Sequence, residues 1–277
     1  MDVVQRNLFI QYFSNMKIHI SVVANTKAPL TWREINFTPD YARFYFIRHG
    51  EGVIKIQNKL YYPQPGQLYL LPSSVEQSYW AVNDNTFYKY WSHFTLKVGE
   101  TDLFQLLKLP YMVEVDDTDR LEVLFERLIT EYQSTELSAI LKMNSLFLNI
   151  LSYYLDACEQ KNLLFYSDSI NRLEIVLQYI ENHLSENLSL DTLAKLVHLH
   201  PNYFIHFFKS IIGLTPIQYT NKIRIEKAKQ LLLTTNRTVT EIADEVGCQL
   251  IYFSRLFKQQ TGAAPSEYRS LSLIKKT

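Results

Sequence analysis

Two stretches in the C-terminal third of the chain repeat one another without a gap. SLDTLAKLVHLHPNYFIHFFKSIIGLTPIQY (Ser189 to Tyr219) aligns with TVTEIADEVGCQLIYFSRLFKQQTGAAPSEY (Thr238 to Tyr268) at a constant offset of 49 residues. Nine positions are identical: Ala194/Ala243, Val197/Val246, Tyr203/Tyr252, Phe204/Phe253, Phe208/Phe257, Lys209/Lys258, Gly213/Gly262, Pro216/Pro265 and Tyr219/Tyr268. A register held over 31 residues restricts this segment to two copies of one supersecondary unit.

Each copy reads as helix, tight turn, helix. Leu190, Leu193, Ala194 and Val197 recur at helical spacing, and after a short break Phe204, Phe207 and Phe208 mark the apolar side of a second helix. The small alanine lets the two helices approach closely, and Gly247 suits a turn that needs positive φ. His198 holds that place in the first copy and is the poorer turn residue. Thr238 and Glu241 have capping-box spacing, Pro201 fits a first helical turn, and Gly213 and Gly262 are helix terminators.

The apolar stripes are core on any reading, so a binding function rests on the opposite faces. There the first copy carries Asn202, Ile205 and His206, and the second Gln249, Ile251, Ser254 and Arg255. Arg, Gln and Asn can make paired hydrogen bonds to base edges, and an aliphatic or proline side chain can lie against a thymine methyl. Lys209 and Lys258, towards the helix ends, suit phosphate, which adds affinity without reading sequence. The stretch between the copies predicts a helix from Pro216 to about Leu233, a rod of roughly 27 Å. That length suits two recognition helices set about one DNA turn, roughly 34 Å, apart. Charge agrees in sign: residues 1–169 hold 15 Lys+Arg and 19 Asp+Glu, whereas residues 170–277 hold 13 and 9.

The segment from about Arg172 to Leu271 resembles the DNA-binding domain of the AraC/XylS family of bacterial transcription regulators. IADEVGCQLIYFSRLFKQQTGAAPSEYR carries the likeness, with one departure at Cys248, where an aromatic usually follows the glycine. The resemblance implies double-stranded DNA as a partner, met at Pro201, Asn202, Ile205 and His206 and at Leu250, Ile251, Ser254 and Arg255. It also implies contact with RNA polymerase.

Residues from about 15 to 100 carry short Tyr/Phe/Val/Ile runs, ARFYFIR, GVIKIQ, KLYYP, QLYLLP and FYKYWSHFTL, separated by Gly, Pro, Asn and Asp. Such runs predict an antiparallel barrel or jelly roll. With HGEG at 49–52 and PGQLYLLPSSVEQSY, the region resembles the cupin-like barrel of sugar-responsive members of the same family. Residues 118–165 turn helical, and AILKMNSLFLNILSYYLDAC, apolar on more than one face, predicts burial on both sides. One face suits the barrel; the other suits a homodimer, as the resemblance implies, or the DNA-binding domain. The linker is expected at Gln160 to Asn162 or Ser167 to Ser169. The expected fold class is thus α+β in two domains: a cupin-like β-barrel with following helices at 1–165, and an all-α domain with two helix-turn-helix units at 170–277.

A small barrel can hold one small ligand. The resemblance carries Tyr79 and Trp91 into an effector site, with Lys89 beside a third matching position; Arg33, Tyr45 and His93 are added as donors on neighbouring strands. Core packing is the plain alternative for each aromatic. A cupin metal centre needs two histidines one residue apart, a carboxylate soon after and a later histidine, and His49 and His93 do not supply that pattern. No nucleophile–base constellation or phosphate-cradling loop is evident, so neither enzyme activity nor a cofactor or metal is expected. The N-terminus places Asp2, Arg6 and Lys17 where a secretory signal needs an apolar run, and no stretch suits a membrane span, so a cytoplasmic protein is expected, with Cys158 and Cys248 reduced. The expectation is an effector-responsive transcription regulator, with a sugar or oligosaccharide as effector and activation of carbohydrate genes as outcome. A non-sugar effector or none, a cupin metalloenzyme with an accessory DNA-binding domain, and a purely architectural DNA-binding protein remain alternatives.

Overall fold

The structure is a computed structural model that describes residues 10, 13, 14, 16–99, 101–161, 165, 166 and 168–274, with side chains inside those bounds up to 270, except at 165 and 166. The described chain separates into two compact units, Met16–Ser167 and the part that begins at Asp168. Of the expected linker residues, Asn162 and Ser167 lie outside the described residues, and Ser169 already belongs to a helix.

The first unit is built on β1 (Met16–Lys27), β2 (Arg33–Phe37), β3 (Ala42–His49), β4 (Val53–Ile56), β5 (Lys59–Tyr61), β6 (Gln67–Leu71), β7 (Gln77–Trp80), β8 (Tyr88–Val98) and β9 (Thr101–Asp102), followed by α1 (Leu103–Leu106), β10 (Leu107–Lys108), β11 (Met112–Glu114), α2 (Thr118–Gln133), α3 (Ala139–Gln160) and β12 (Phe165–Tyr166). One antiparallel sheet runs β1-β8-β3-β6-β11, with β9 added to β8. A second runs β2-β7-β4-β5, and β10 pairs with β12. Each of the five apolar runs of the sequence contains a strand.

The pattern of β3 explains the layering. Ala42 to Ile47 are all buried, which a strand shows only when both faces of its sheet are covered. Phe44 and Phe46 point one way, with Phe94 and Tyr90 of β8, onto Phe125 of α2 and Phe147 and Tyr154 of α3. Tyr45 and Ile47 point the other way and share a core with Ile54 and Ile56 of the second sheet. So the β8–β3–β6 sheet is the middle layer, with helices behind it and the smaller sheet in front.

A single stripe of α3 is buried, including Met143, Phe147, Ile150, Tyr154 and Cys158, while Ile140, Leu141 and Leu148 are exposed in the single chain. These three residues mark the second apolar face, the one expected to meet a further surface.

The second unit is helical: α4 (Asp168–Asn182), α5 (Leu190–Leu196), α6 (Pro201–Ile212), α7 (Pro216–Thr234), α8 (Val239–Glu245), α9 (Leu250–Thr261) and α10 (Pro265–Ile274). Local chemistry sets these bounds. Ser189 caps α5, Thr238 and Glu241 close a capping box on α8, and Thr215 with Gln218 closes another on α7. Gly213 and Gly262 end α6 and α9 in left-handed conformation, at φ 79° and 83°. Ala194 and Ala243 are fully buried at their helix crossings. Cys248 is buried with Ile242, Val246, Phe253 and Phe257 as a small core residue behind the turn, and Cys158 is likewise a buried free thiol.

Candidate nucleic-acid interface and effector site

In both repeats the turn between the two short helices is made by one residue with positive φ. Gly247 stands at φ 68° and His198, its equivalent, at φ 54°. The second helices then start alike, Pro201 and Leu250 at their first positions after His200 and Gln249. Phe204 and Phe208, like Phe253 and Phe257, anchor them in the core, so the opposite faces are fixed outward.

The residues singled out for DNA lie on those outward faces. Asn202, His206, Lys209, Gln249, Leu250, Ile251, Arg255 and Lys258 are exposed, and Pro201, Ile205 and Ser254 are half-buried. Ile251, at 87% exposure, occupies the place of Asn202. The side chain of Gln249 makes no capping bond and stays available to a partner. Sequence reasoning missed Tyr203 and Tyr252, which stand beside these faces at 61% and 38% exposure. The Tyr252 hydroxyl accepts a 2.9 Å hydrogen bond from Asn221 of α7, and the Arg255 guanidinium lies 5.8 Å from the Tyr252 ring centroid. Their signal was the identity of the two tyrosines one residue off the core stripe.

Each helix-turn-helix unit is also tied to the helix that follows it. Arg224 of α7 donates to the carbonyls of Leu184 and Glu186, ahead of α5, at 3.0 and 2.7 Å. Arg269 of α10 donates to the carbonyls of Leu232 and Arg237, ahead of α8, at 3.2 and 2.6 Å. Charge-assisted bonds to loop carbonyls hold the entry to each unit.

In the first unit, register decides which sequence-chosen residues come together. β3 and β8 pair Arg43 with His93, Tyr45 with Trp91 and Ile47 with Lys89, which sets these side chains on the face towards the second sheet. Tyr79 reaches the same space from β7, stacked on Trp32 at 4.3 Å and 18°. The Lys89 ammonium lies 4.5 Å from the Trp32 ring centroid and 5.0 Å from that of Tyr45. His93 stacks on Tyr41 at 4.6 Å, and the Trp91 indole donates to Thr26 Oγ1 at 3.0 Å. Arg33 does not join them. It is exposed, and the strand pleat puts it on the face of β2 opposite Trp32 and Glu34, whose carboxylate accepts the Tyr79 hydroxyl at 2.8 Å.

Two members of this cluster escaped the sequence reading: Trp32, just ahead of β2, and Arg43. Arg43 is 2% exposed, donates Nη1 to the Tyr45 hydroxyl at 3.1 Å and Nη2 to Gln77 Oε1, and sits among the rings of Phe37, Tyr41, Tyr45 and Tyr79. Its Nε is buried with no partner among the described residues. This concentration of positive charge shapes its neighbours. Burial, then Arg43, brings the Lys89 ammonium down to about 8. Burial, then Arg43 and Lys89, brings His93 down to about 4. Burial pushes the Tyr45 and Tyr79 hydroxyls up.

Comparison with known proteins follows this division. Residues 31–151 match the model of the AraC-like ligand-binding domain, and residues 193–270 that of a helix-turn-helix domain. The chain belongs to the AraC family. Among AraC-family relatives, the arabinose operon regulatory protein of Escherichia coli is 28% identical over 236 residues, 80% of this chain and 77% of that protein. The raffinose operon transcriptional regulatory protein RafR of Pediococcus pentosaceus is 25% identical over 252 residues, 86% and 88% of the two chains. The HTH-type transcriptional regulator YisR of Bacillus subtilis is 39% identical over 95 residues, 34% of this chain. The chain spans a third to a half of the length of three Bacillus subtilis relatives it matches in this way. As a member of this family the chain carries an AraC-like ligand-binding domain followed by a helix-turn-helix domain.

Proposed function

We propose that the chain binds an operator with α6 and α9 in two successive major grooves, and that a carbohydrate held between the two sheets of its first unit governs that binding. One observation supports the effector site above all: Trp32, Tyr45, Tyr79 and Trp91 present aromatic faces beside Lys89, Arg43 and His93 on one pleat face. Sugars offer flat C–H faces and ring hydroxyls, which such a mixture of rings and donors meets together. That two relatives are named for sugar operons supports the same class. A cupin-like barrel, a homodimer, RNA polymerase as a further partner, activation of carbohydrate genes and a cytoplasmic setting complete the proposal.

The test is a sugar screen by thermal shift on the full chain, followed by Trp91→Ala. A ligand that binds the native state raises the melting temperature by mass action. Trp91→Ala should keep operator binding and lose the response to that ligand. A truncation that unfolds the first unit, with the cavity cost of roughly 3–5 kcal/mol expected for a core tryptophan, overturns the pocket assignment.

A further inference from the structure

The space between the sheets holds more positive charge than its surroundings answer. Arg43 and Lys89 are 2% and 4% exposed, and both lie over one ring, with Arg43 Cζ 5.5 Å and Lys89 Nζ 5.0 Å from the Tyr45 centroid. Neither forms an ion pair among the described residues, where the ion pairs fall on other lysines and arginines. Arg43 Nε is buried without an acceptor among the described residues, and the Lys89 ammonium lies against the rings of Trp32 and Tyr45. One carboxylate stands at the rim of this cluster, that of Glu34, exposed and engaged with the Tyr79 hydroxyl.

A buried cation without a counter-charge costs several kcal/mol, and arginine cannot escape by losing its proton. Aromatic faces and the Tyr45 and Gln77 side chains offset part of this for Arg43, yet they leave its Nε–H unmatched, and Lys89 meets ring faces rather than a carboxylate. An arrangement that keeps such groups in place is complementary to something brought in from outside. With two cations inside and one carboxylate at the rim, a single negative charge balances the site.

We infer that the effector is an acidic sugar, its carboxylate seated by Lys89 and Arg43 and its ring against the aromatic face of Trp91. This rests on the sensor reading above and narrows its ligand class. Carboxylate oxygens accept from both an ammonium and a guanidinium N–H, the charge-assisted bonds now missing. A neutral sugar leaves both cations unanswered.

Matched series test it on the full chain by calorimetry and thermal shift: glucose, galactose and mannose, their uronic acids, and their 6-phosphates. At least one uronic acid should bind ten-fold or more tighter than its neutral parent, with the preference lost in Lys89→Met. In the absence of ligand, Lys89→Met should melt higher than the native chain, since it removes an unanswered charge and keeps the stem. Neutral sugars that bind as tightly as the acids overturn the inference and leave the sensor reading standing. Binding confined to the phosphates overturns the carboxylate assignment. No binding in any series, with Lys89→Met melting lower, overturns the inference together with the sensor reading.

Discussion

The two turns of the repeat predict opposite responses to mutation at equivalent positions. Gly247 has φ 68°, and a Cβ built there falls 2.5 Å from the Leu184 carbonyl oxygen and 2.7 Å from the Ser185 carbonyl. Gly247→Ala therefore meets two separate costs. The left-handed backbone costs a non-glycine residue roughly 1–2 kcal/mol. The obstructing atoms are backbone, and the Leu184 carbonyl is held by Arg224 at 3.0 Å, so relief of the clash loosens a charged hydrogen bond worth about 1.5–3 kcal/mol. Together the loss is about 2.5–5 kcal/mol. His198 already bears the backbone cost at φ 54°, so His198→Gly removes it and gives back about half through the entropy of the unfolded chain, a net gain of roughly 0.5–1 kcal/mol. Thermal unfolding of the helical unit, followed by circular dichroism in the full chain, reads both, because 1 kcal/mol moves the melting temperature of such a domain by roughly 4–8 °C. An unchanged melting temperature in Gly247→Ala, or a fall in His198→Gly, would refute the reasoning.

Two further outcomes are expected. Arg255→Ala should relax base preference at one operator position at a cost of about 1–3 kcal/mol, while Lys258→Ala should weaken all sequences alike and flatten the salt dependence; titrations on operator and random duplexes, at several salt concentrations, separate the two. His93, brought from its ordinary 6.5 down to about 4, means that the unfolded chain takes up the proton first, so stability is present in full above about pH 6.5 and drains as pH falls through 4. After allowance for the partial exposure of the ring, the loss is roughly 1–2 kcal/mol, and His93→Gln should flatten it in denaturant melts at stepped pH.

The helical unit was readable because its signals are local. Capping residues, helix-ending glycines and the core phenylalanines act within a few positions, and a repeated pattern cannot keep register by accident; Tyr203 and Tyr252 were passed over only because aromatics default to core. The strands were readable from their aromatic runs, but the pocket was not. Arg43 lies in ARFYFIR, where a lone arginine suggests a solvent face, and nothing local tells that the second sheet covers it. Arg33 and Trp32 were exchanged for the same reason: one residue of pleat decides which side chain enters the cleft, and the run TWRE does not say where the pleat begins.

The middle sheet is one residue thick, and its two faces are joined by the same backbone. On β8, Lys89 and Trp91 look into the cleft while Tyr90 between them looks back at α2, where its hydroxyl meets the carboxylates of Glu122 and Glu126 at 2.9 and 3.1 Å. On β3, Arg43 and Tyr45 alternate with Phe44 and Phe46, which bear on the helices. A strand cannot rotate or slide one set of side chains without carrying the other. Any shift of the β3 or β8 backbone on the side of Lys89 and Arg43 is therefore also a shift of the seat of α2 and α3.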